Sequence, residues 1–317
     1  MAYAAGLKVS MRLRIGHLST FYHTAIILMA DERLQKDLGV DVEWRLFGTG
    51  PAIVDAFEKG ELDIAYVGLP PALIGIARGV EIKCVAGGHM EGTVICAKAG
   101  YRGFPETEDL GIILGQFRGA KIGVPGKGSI HDVILSDCLR RYHLEREIEV
   151  VNFAWADQLT EAVVHDEVSA AVGTPALAAA IKHYAGGKVL YPPSLLWPHN
   201  PSYGIVADSR FLEHSREILR RFLIQHEMAT SFLRNNEREA AKMISRFIGF
   251  AEEELVLDAL KISPKYCAKL TGEYIASTMA FVSVMLELGY LQREISVRDV
   301  FDTSLIDEIH PEEDHYT

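Results

Sequence analysis

Two distant segments of the chain share one short pattern, and this repeat limits the folds open to it. The first is Glu61-Leu-Asp-Ile-Ala-Tyr-Val-Gly-Leu-Pro-Pro-Ala-Leu73, and the second is Asp166-Glu-Val-Ser-Ala-Ala-Val-Gly-Thr-Pro-Ala-Leu177. Each reads as an acidic turn, a short strand ending in Val-Gly, and a helix with proline in its first turn. The repeat predicts two α/β lobes of similar construction.

Short β-type runs alternate with helical patterns over residues 13–207. The strands predicted in the first half are 13–17, 40–47, 62–67 and one beginning at 82–87, with helices at 24–36, 51–59 and 71–78. The order restarts with strands 120–124, 148–153, 168–172 and 189–191 and helices 129–142, 158–165 and 175–184. Strand 203–207 precedes nearly continuous helix at 215–234, 237–247, 252–259 and 271–288. Such alternation is typical of right-handed βαβ units and mostly parallel sheets.

We therefore predict an α/β fold with two βαβ-type lobes, an interdomain ligand cleft and a helical C-terminal tail. The first lobe is expected to be discontinuous, with residues 11–93 and 205–317, and the second to span residues 94–204. A length of 317 residues suits two domains. In open α/β sheets ligands bind beyond the carboxyl ends of the strands, so two facing lobes predict a hinged cleft.

Charge and composition exclude several classes of protein. Asp and Glu total 43 against 32 Lys and Arg, a formal net charge of −11, which disfavours nucleic acid as a partner. No run of about 18 apolar residues is present, so no membrane-spanning helix is predicted. Residues 1–10 show no secretory signal, which leaves a cytoplasmic location open. The acidic C-terminal segment 310–317 is expected to be solvated and frayed.

Cysteine and histidine spacings match no known metal motif. Cys84, Cys96, Cys138 and Cys267 form no Cys-x-x-Cys pair, and apolar neighbours favour buried, inert thiols. A Cys84–Cys96 disulfide stays open from the sequence. The twelve histidines contain no His-x-x-x-His or His-Glu-x-x-His arrangement. We therefore predict neither a metal site nor a cofactor.

The first post-strand loop, Leu18-Ser-Thr-Phe-Tyr-His23, offers both polar and flat side chains. The hydroxyls of Ser19 and Thr20, with the following backbone N–H groups, are predicted to hold an anion or a polar ligand edge. Tyr22 and His23 are predicted to stack on a ligand. The alternative is a helix cap with one aromatic ring turned into the core.

Other loops add candidate contacts. Gly48 permits close approach of backbone to a ligand, and Thr49 either contacts it or only caps a helix; the loop lacks the spacing and lysine of a nucleotide-binding loop. In the loop 125–132, Gly128 permits an open helix N-terminus, and Ser129, Ile130 and His131 are predicted ligand contacts. Ser129 and Asp132 form a Ser-x-x-Asp capping box, so Asp132 is expected to be structural.

Two further positions complete the candidate set. Thr174 offers a hydroxyl in the second copy of the repeat, before its proline. His89 and Glu91, near the exit from the first lobe, could act as acid and base in an enzyme, or could simply solvate a hinge. We include His89 among the predicted ligand contacts and assign no catalytic residue.

The chain resembles the nitrate, sulfonate, taurine and thiamine-pyrimidine (NMT1-like) branch of type II periplasmic substrate-binding proteins. The resemblance runs from about Leu13 to Arg246 and is carried by Arg-Ile-Gly-His-Leu, Gly60-Glu-Leu-Asp-Ile-Ala-Tyr-Val-Gly, Gly119-Ala-Lys-Ile-Gly-Val-Pro-Gly-Lys-Gly-Ser and Ala-Val-Gly-Thr-Pro. It implies two lobes joined by two crossing strands, with the helical tail mainly on the first. The ligand contacts that it implies are Ser19, Thr20, Tyr22, Gly48, Thr49, Gly68, Leu69, Gly128, Ser129, Ile130 and Thr174.

The resemblance also implies a function and partners. It predicts a monomeric, periplasmic or extracellular protein that captures a small solute and delivers it to an ABC-type permease. Only Lys127 supplies a positive charge in the predicted cleft loops, so an anion would rely on backbone N–H dipoles. Flat rings in the same loops leave a heterocycle or aromatic acid equally open.

Enzymes on the same fold are the alternative. Thiamine-pyrimidine synthases carry a dense Cys/His motif, which this chain lacks. Chorismate-dehydratase-type lyases typically carry Asn in the first loop, where this chain has Ser19-Thr20-Phe21. These differences favour the binding protein over a cytoplasmic enzyme.

Overall fold

The protein is described by a computed structural model covering residues 11–316, apart from the side chains of residues 156 and 157. Its strands are β1 (Arg12–Leu18), β2 (Asp41–Phe47), β3 (Ile64–Val67), β4 (Ile82–Met90), β5 (Val94–Lys98), β6 (Lys121–Pro125), β7 (Glu149–Phe153), β8 (Ala170–Gly173), β9 (Gly187–Tyr191) and β10 (Pro201–Asp208).

Helices cover both sheets and form the C-terminal tail. They are α1 (Thr24–Ala30), α2 (Leu34–Leu38), α3 (Gly50–Glu58), α4 (Leu69–Arg78), α5 (Leu110–Gly115), α6 (Ile130–Arg141), α7 (Ala156–Val164), α8 (Pro175–Ala185), α9 (Pro193–Leu196), α10 (Ser209–His214), α11 (Arg216–Asn235), α12 (Glu237–Ile248), α13 (Glu253–Ile262), α14 (Gly272–Glu287), α15 (Val297–Val300) and α16 (Ser304–Ile309).

The strands form two sheets of five strands with matching topology. The first lobe has the order β2-β1-β3-β10-β4, and the second has β7-β6-β8-β5-β9. The three leading strands of each sheet are parallel, whereas β10 and β5 run antiparallel to both of their neighbours. Strands β3 and β8, which carry the sequence repeat, occupy equivalent positions. The predicted α/β class with two lobes is confirmed.

The chain crosses between the lobes twice. Residues 91–93 connect β4 to β5, and residues 192–200 connect β9 back to β10. Because β10 belongs to the first sheet from its start at Pro201, the first lobe contains chain from both sides of the second. The lobe limits at residues 93, 94, 204 and 205 stay a prediction.

Helices α5, α9, α10, α15 and α16 were not predicted, and two further differences from the prediction have a clear physical reason. The predicted helix 24–36 is divided into α1 and α2, because Asp31 Oδ1 accepts the backbone N–H of Arg33 at 3.0 Å, and such a local turn competes with continued helix. Strand β5 was not predicted. Its Val-Ile-Cys-Ala run is buried on both faces, so it lacks the alternation that identifies a half-exposed strand.

The helical tail contacts both lobes. Helices α11 and α12 pack on α1, α14 packs on α4, and α16 packs on β4, all in the first lobe. Helix α13 packs on α8 of the second lobe. Among the described residues, none of the helices has the length and apolar character needed to cross a membrane.

The expected solvation of the acidic C-terminal segment agrees with the exposed residues 311–314, but it is wrong at the two ends of the described segment. His310 and Tyr316 are only 2% and 4% exposed. The hydroxyl of Tyr316 donates to the carbonyl of Cys267 at 2.6 Å, which fastens this segment to the first lobe. Acidic composition suggested solvation, whereas a few buried side chains determine the position of the segment.

All four cysteines are buried free thiols. Cys84 lies in the first sheet and Cys96 in the second, so the disulfide left open by the sequence is not formed. Burial raises the pKa of each of these two thiols to about 12, which is the behaviour of inert core cysteines.

Candidate functional site

Four helix N-termini meet at a cavity between the lobes. Helices α3 and α4 of the first lobe have Thr49 and Gly68 as N-caps, and α6 and α8 of the second have Ser129 and Thr174. All four residues line one cavity of about 50 Å³. Helix N-termini present unsatisfied N–H groups and partial positive charge, so this edge favours a hydrogen-bond acceptor or an anionic group.

The two lobes use their caps differently. Ser129 Oγ accepts the N–H of Asp132 at 3.2 Å, and Thr174 Oγ1 accepts the N–H of Leu177 at 3.1 Å. Thr49 and Gly68 make no side-chain cap hydrogen bond. The first turn of α4 contains Pro70 and Pro71, which have no N–H group, so in the first lobe the N-terminus of α3 is the less satisfied one.

Asp132 has the structural role expected from the sequence. Its Oδ2 accepts the backbone N–H of Gly128 and the hydroxyl of Tyr290, each at 2.7 Å. The capping box is therefore only half formed, because the carboxylate binds the N–H of Gly128 rather than that of Ser129. The carboxylate supports the loop and does not line the cavity.

Two buried polar atoms of the first loop have no hydrogen-bond partner. They are Oγ1 of Thr20 and Nδ1 of His23, and both residues line the cavity. A buried polar atom without a partner costs about 1–3 kcal/mol. A bound solute with a complementary polar group would remove this cost, so these atoms point to ligand recognition.

The remaining polar side chains of the cavity are neutral. The hydroxyl of Tyr22 hydrogen-bonds with Ser202 Oγ at 2.8 Å, and His131 Nδ1 with Thr93 Oγ1 at 3.0 Å. Burial lowers the pKa of His131 to about 3, and burial together with neighbouring histidines lowers the pKa of His23 well below its usual value. Among the described residues, the lining contains no Asp, Glu, Lys or Arg.

The structure brings most of the predicted site residues together. Those that line the cavity are Ser19, Thr20, Tyr22, His23, Gly48, Thr49, Gly68, Ser129, Ile130, His131 and Thr174. Three predicted residues lie outside the lining: Leu69, His89 and Gly128. Five lining residues were not predicted, namely Leu18, Gly50, Pro71, Pro125 and Ser202.

His89 and Glu91 serve the crossing between the lobes. His89 lies behind Tyr22, with ring centroids 5.1 Å apart, and its Nε2 is 2.5 Å from the carbonyl of Ser263. Glu91 is 3% exposed, lies 3.1 Å from Lys265 Nζ, and accepts the N–H of His199. Both side chains are buried and paired at the crossing, so they neither line the inner cavity nor solvate a hinge.

Ser202 had no signal in the sequence. It lies near the start of β10, the antiparallel strand that returns from the second lobe. Ligand contacts in open α/β sheets are expected at the carboxyl ends of the strands, whereas Ser202 lies at the amino end of an inserted antiparallel strand.

A larger apolar groove adjoins the inner cavity. Its volume is about 690 Å³, and it shares Ser19 and Thr174 with the inner cavity. Its apolar lining comes from both lobes and consists of Phe21, Val164, Ala176, Leu177, Ala180, Tyr184, Phe250 and Leu255. Thr160, Glu161 and His165 add polar groups at one side of the groove, so the cleft combines a small polar inner cavity with a wide, mainly apolar outer groove.

Two five-stranded α/β lobes, crossed twice by the chain and enclosing a cavity lined by helix N-termini, define the fold class of the periplasmic binding proteins. The chain belongs to the NMT1-like family, whose profile matches residues 8–247.

Proteins similar to this chain in sequence or in structure are consistent with this family assignment. A protein of Brucella abortus, named only as a binding protein, is 25% identical over 311 residues, covering 94% of this chain and 92% of the relative. The periplasmic aliphatic sulphonate binding protein of Escherichia coli is similar in structure, with a TM-score of 0.75, 17% identity and 92% coverage of each chain. The periplasmic nitrate-binding protein of Synechocystis gives a TM-score of 0.75 at 14% identity, covering 96% of this chain and 89% of that protein.

Proposed function

We propose that this protein is the solute-binding component of an ABC-type uptake system. It acts as a periplasmic or extracellular monomer that closes its lobes on a small solute and passes it to a membrane permease. The observation that carries the proposal is the pair of unpartnered buried atoms, Thr20 Oγ1 and His23 Nδ1, at the inner cavity. The fold of the sulphonate- and nitrate-binding neighbours supports it.

The charges around the cleft indicate the class of solute. The inner lining offers hydroxyls, neutral imidazoles and helix N-termini, and no cationic side chain among the described residues. Such a site can hold one carboxylate or a similar acceptor on its N–H groups, and the outer groove beside it, lined mainly by apolar side chains, favours a solute that carries a ring over a small inorganic anion. We therefore favour an aromatic or heterocyclic solute with a carboxylate or similar acceptor at one end.

The two volumes support the same assignment. A cavity of about 50 Å³ accommodates a polar group of a few atoms, whereas a dry cavity of about 150 Å³ accepts a benzene ring. The outer groove of about 690 Å³ is large enough for a ring and is lined by apolar side chains from both lobes. The polar end of the solute would lie in the inner cavity, and its ring would lie in the outer groove.

A ligand screen tests this function directly. The full chain is heated with nitrate, bicarbonate, alkylsulfonates, aminopyrimidines and aromatic or heterocyclic carboxylates, each at several concentrations. An aromatic or heterocyclic acid should raise the melting temperature in a concentration-dependent manner. NMR of the mixture should show no conversion of that solute. Failure of every compound, or steady turnover of one, would contradict the proposal.

The unpartnered hydroxyl of Thr20 provides a specific prediction. Thr20→Val replaces the hydroxyl by a methyl group of similar size, so the stability of the free protein should be unchanged or slightly higher. Binding of the solute should weaken about tenfold, corresponding to ~1.4 kcal/mol, because a ligand hydrogen bond is lost. Isothermal titration calorimetry measures the binding, and thermal unfolding measures the stability.

Thr230→Val is the matched control for Thr20→Val. Thr230 is also buried, but its Oγ1 donates to the carbonyl of His226 at 2.7 Å and it does not line the cavity. This variant should lose stability and keep its affinity for the solute. If Thr20→Val instead loses stability and keeps its affinity, while Thr230→Val loses affinity, the first loop does not contact the ligand.

The outer groove provides a second prediction, which tests the ring assignment. Phe250 is 78% exposed and lines the groove, whereas Phe247 is exposed on the same tail and lies outside it. Phe250→Ser should weaken an aromatic acid about tenfold and leave a short acid such as acetate unaffected. Phe247→Ser should change neither affinity. If Phe250→Ser lost the same affinity for both acids, the ring of the aromatic acid would not lie in the outer groove.

A further inference from the structure

A cluster of metal-ligating side chains lies in the first lobe, outside the cleft. Cys267 is in the segment between α13 and α14, His310 follows α16, and His315 lies close to the C-terminus. Cys267 Sγ is 3.9 Å from His310 Nε2 and 3.8 Å from His315 Nδ1. The three potential ligand atoms all lie within 4.8 Å of one another, and none of the residues lines the inner cavity or the outer groove.

These separations match a tetrahedral metal centre. Zinc binds thiolate sulfur at about 2.3 Å and imidazole nitrogen at about 2.0–2.1 Å, so tetrahedral angles place the sulfur and nitrogen atoms about 3.6 Å apart. The observed sulfur–nitrogen distances exceed this value by only a few tenths of an ångström. The two histidine nitrogens lie within 4.8 Å of each other, so rotation of the side chains would have to draw them together to complete the coordination.

A carboxylate lies behind one of the histidines. Glu227 Oε2 on α11 is 3.1 Å from His310 Nδ1 and makes no well-aligned hydrogen bond. A carboxylate on the far nitrogen of a metal-binding histidine fixes the tautomer that directs the other lone pair at the metal. His310 Nε2, which faces Cys267, is also only 3.1 Å from the carbonyl of Glu313. A neutral ring cannot donate to both acceptors. With a cation at Nε2, the ring donates from Nδ1 to Glu227, and the carbonyl oxygen of Glu313 faces the cation.

We propose that Cys267, His310 and His315 bind one Zn²⁺ ion, with water at the fourth position. One thiolate and two imidazoles are donors of the softness that zinc prefers. The proposal departs from the sequence prediction of no metal site, because the three ligands are far apart in the chain and form no local motif.

The ion would fasten the C-terminal segment to the base of the crossing between the lobes. The N–H of Cys267 donates to the carbonyl of Gly88, and the N–H of Gly87 donates to the carbonyl of Ala268, so the segment holding Cys267 pairs with β4. Strand β4 leads directly into the crossing to β5. The ion would therefore act structurally and independently of solute binding in the cleft.

Cobalt substitution tests the site. The full chain, without a histidine tag and stripped with a chelator, is titrated with Co²⁺. Binding should saturate at one equivalent and produce a thiolate-to-cobalt charge-transfer band, which Zn²⁺ should remove by displacement. Zn²⁺ should also raise the melting temperature, and a chelator should reverse the shift. A protein that shows neither band nor shift overturns the proposal.

Variants locate the ion. Cys267→Ser should abolish the charge-transfer band, and His315→Gln, at the less buried edge of the cluster, should weaken Co²⁺ binding at least tenfold without threatening the fold. Glu227→Gln should weaken it about 10–100-fold by removing the support of His310. His214→Gln, at an exposed histidine outside the cluster, is the matched control and should bind as the wild type does. Unchanged binding in His315→Gln would mean that the metal occupies a different site.

Discussion

Gly48→Ala should hold the two lobes apart and weaken solute binding at least tenfold. A Cβ atom at Gly48 in the first lobe would lie 2.3 Å from the carbonyl oxygen of Ala154 and 3.1 Å from Cδ2 of Trp155, both in the second lobe. The first distance is far below van der Waals contact, and a backbone oxygen cannot rotate away. Closure would therefore require a shift of one lobe, and each ~1.4 kcal/mol of strain costs a factor of about ten in affinity.

Small-angle X-ray scattering measures this opening without a ligand, because the variant should have a larger radius of gyration than the wild type. Gly100→Ala is the matched control, since a Cβ at Gly100 meets no atom within 4 Å. Gly126→Ala should act in the same direction, because its Cβ, in the second lobe, would meet Cγ2 and Cβ of Thr49 in the first lobe at 2.7 and 3.0 Å. Identical radii and affinities for Gly48→Ala and Gly100→Ala would refute this account of closure.

The free energy of unfolding should fall by about 4 kcal/mol between pH 7.5 and pH 5.5, on the linkage relation for three buried histidines. Burial lowers the pKa of His89 and His226 to about 4 and that of His131 to about 3. In the unfolded chain each would titrate near 6.5, so below that pH the unfolded state binds protons that the folded state does not. Below about pH 6.5, each histidine therefore lowers the free energy of unfolding by about 1.4 kcal/mol per pH unit. His23 acts in the same direction.

Urea unfolding at a series of pH values measures this dependence. His226→Gln removes one of the three groups, and the amide can still donate to the carbonyl of Gly87, which His226 Nε2 contacts at 2.8 Å. Its loss of stability over the same interval should be smaller by about 1.4 kcal/mol. The variant of exposed His214 used above should leave the slope unchanged. A flat profile in the wild type would mean that these histidines are charged in the folded protein.

Local sequence patterns were sufficient for the repeated βαβ order. The Val-Gly-Leu-Pro and Val-Gly-Thr-Pro segments mark a strand end and a helix start within a few residues, so the repeat is readable without tertiary contacts. The candidate loops followed from the same patterns, because parallel strands align their carboxyl ends at one edge. Strand β5 was not readable, because burial on both faces removes its periodicity.

The composition of the cleft depended on tertiary structure. Leu69 closely follows β3, and His89 lies near the end of β4, both positions where a ligand contact is expected. Yet both side chains are buried outside the inner cavity. Ser202 lines it because an antiparallel strand returns from the second lobe between β3 and β4. Which side chain faces a cavity depends on the packing of both lobes, and no window of sequence contains that information.

The sequence by itself therefore determined two α/β lobes, the order of most of their strands and longer helices, and most loops of the cleft, since periodicity and helix capping act over a few residues. Tertiary structure alone decided which polar atoms are left without partners and which distant ligands meet. Cys267 meets His310 and His315 only because α16 and the following segment fold back over the first lobe. Contacts of this kind arise from packing between residues far apart in the chain, whose separation carries no local pattern.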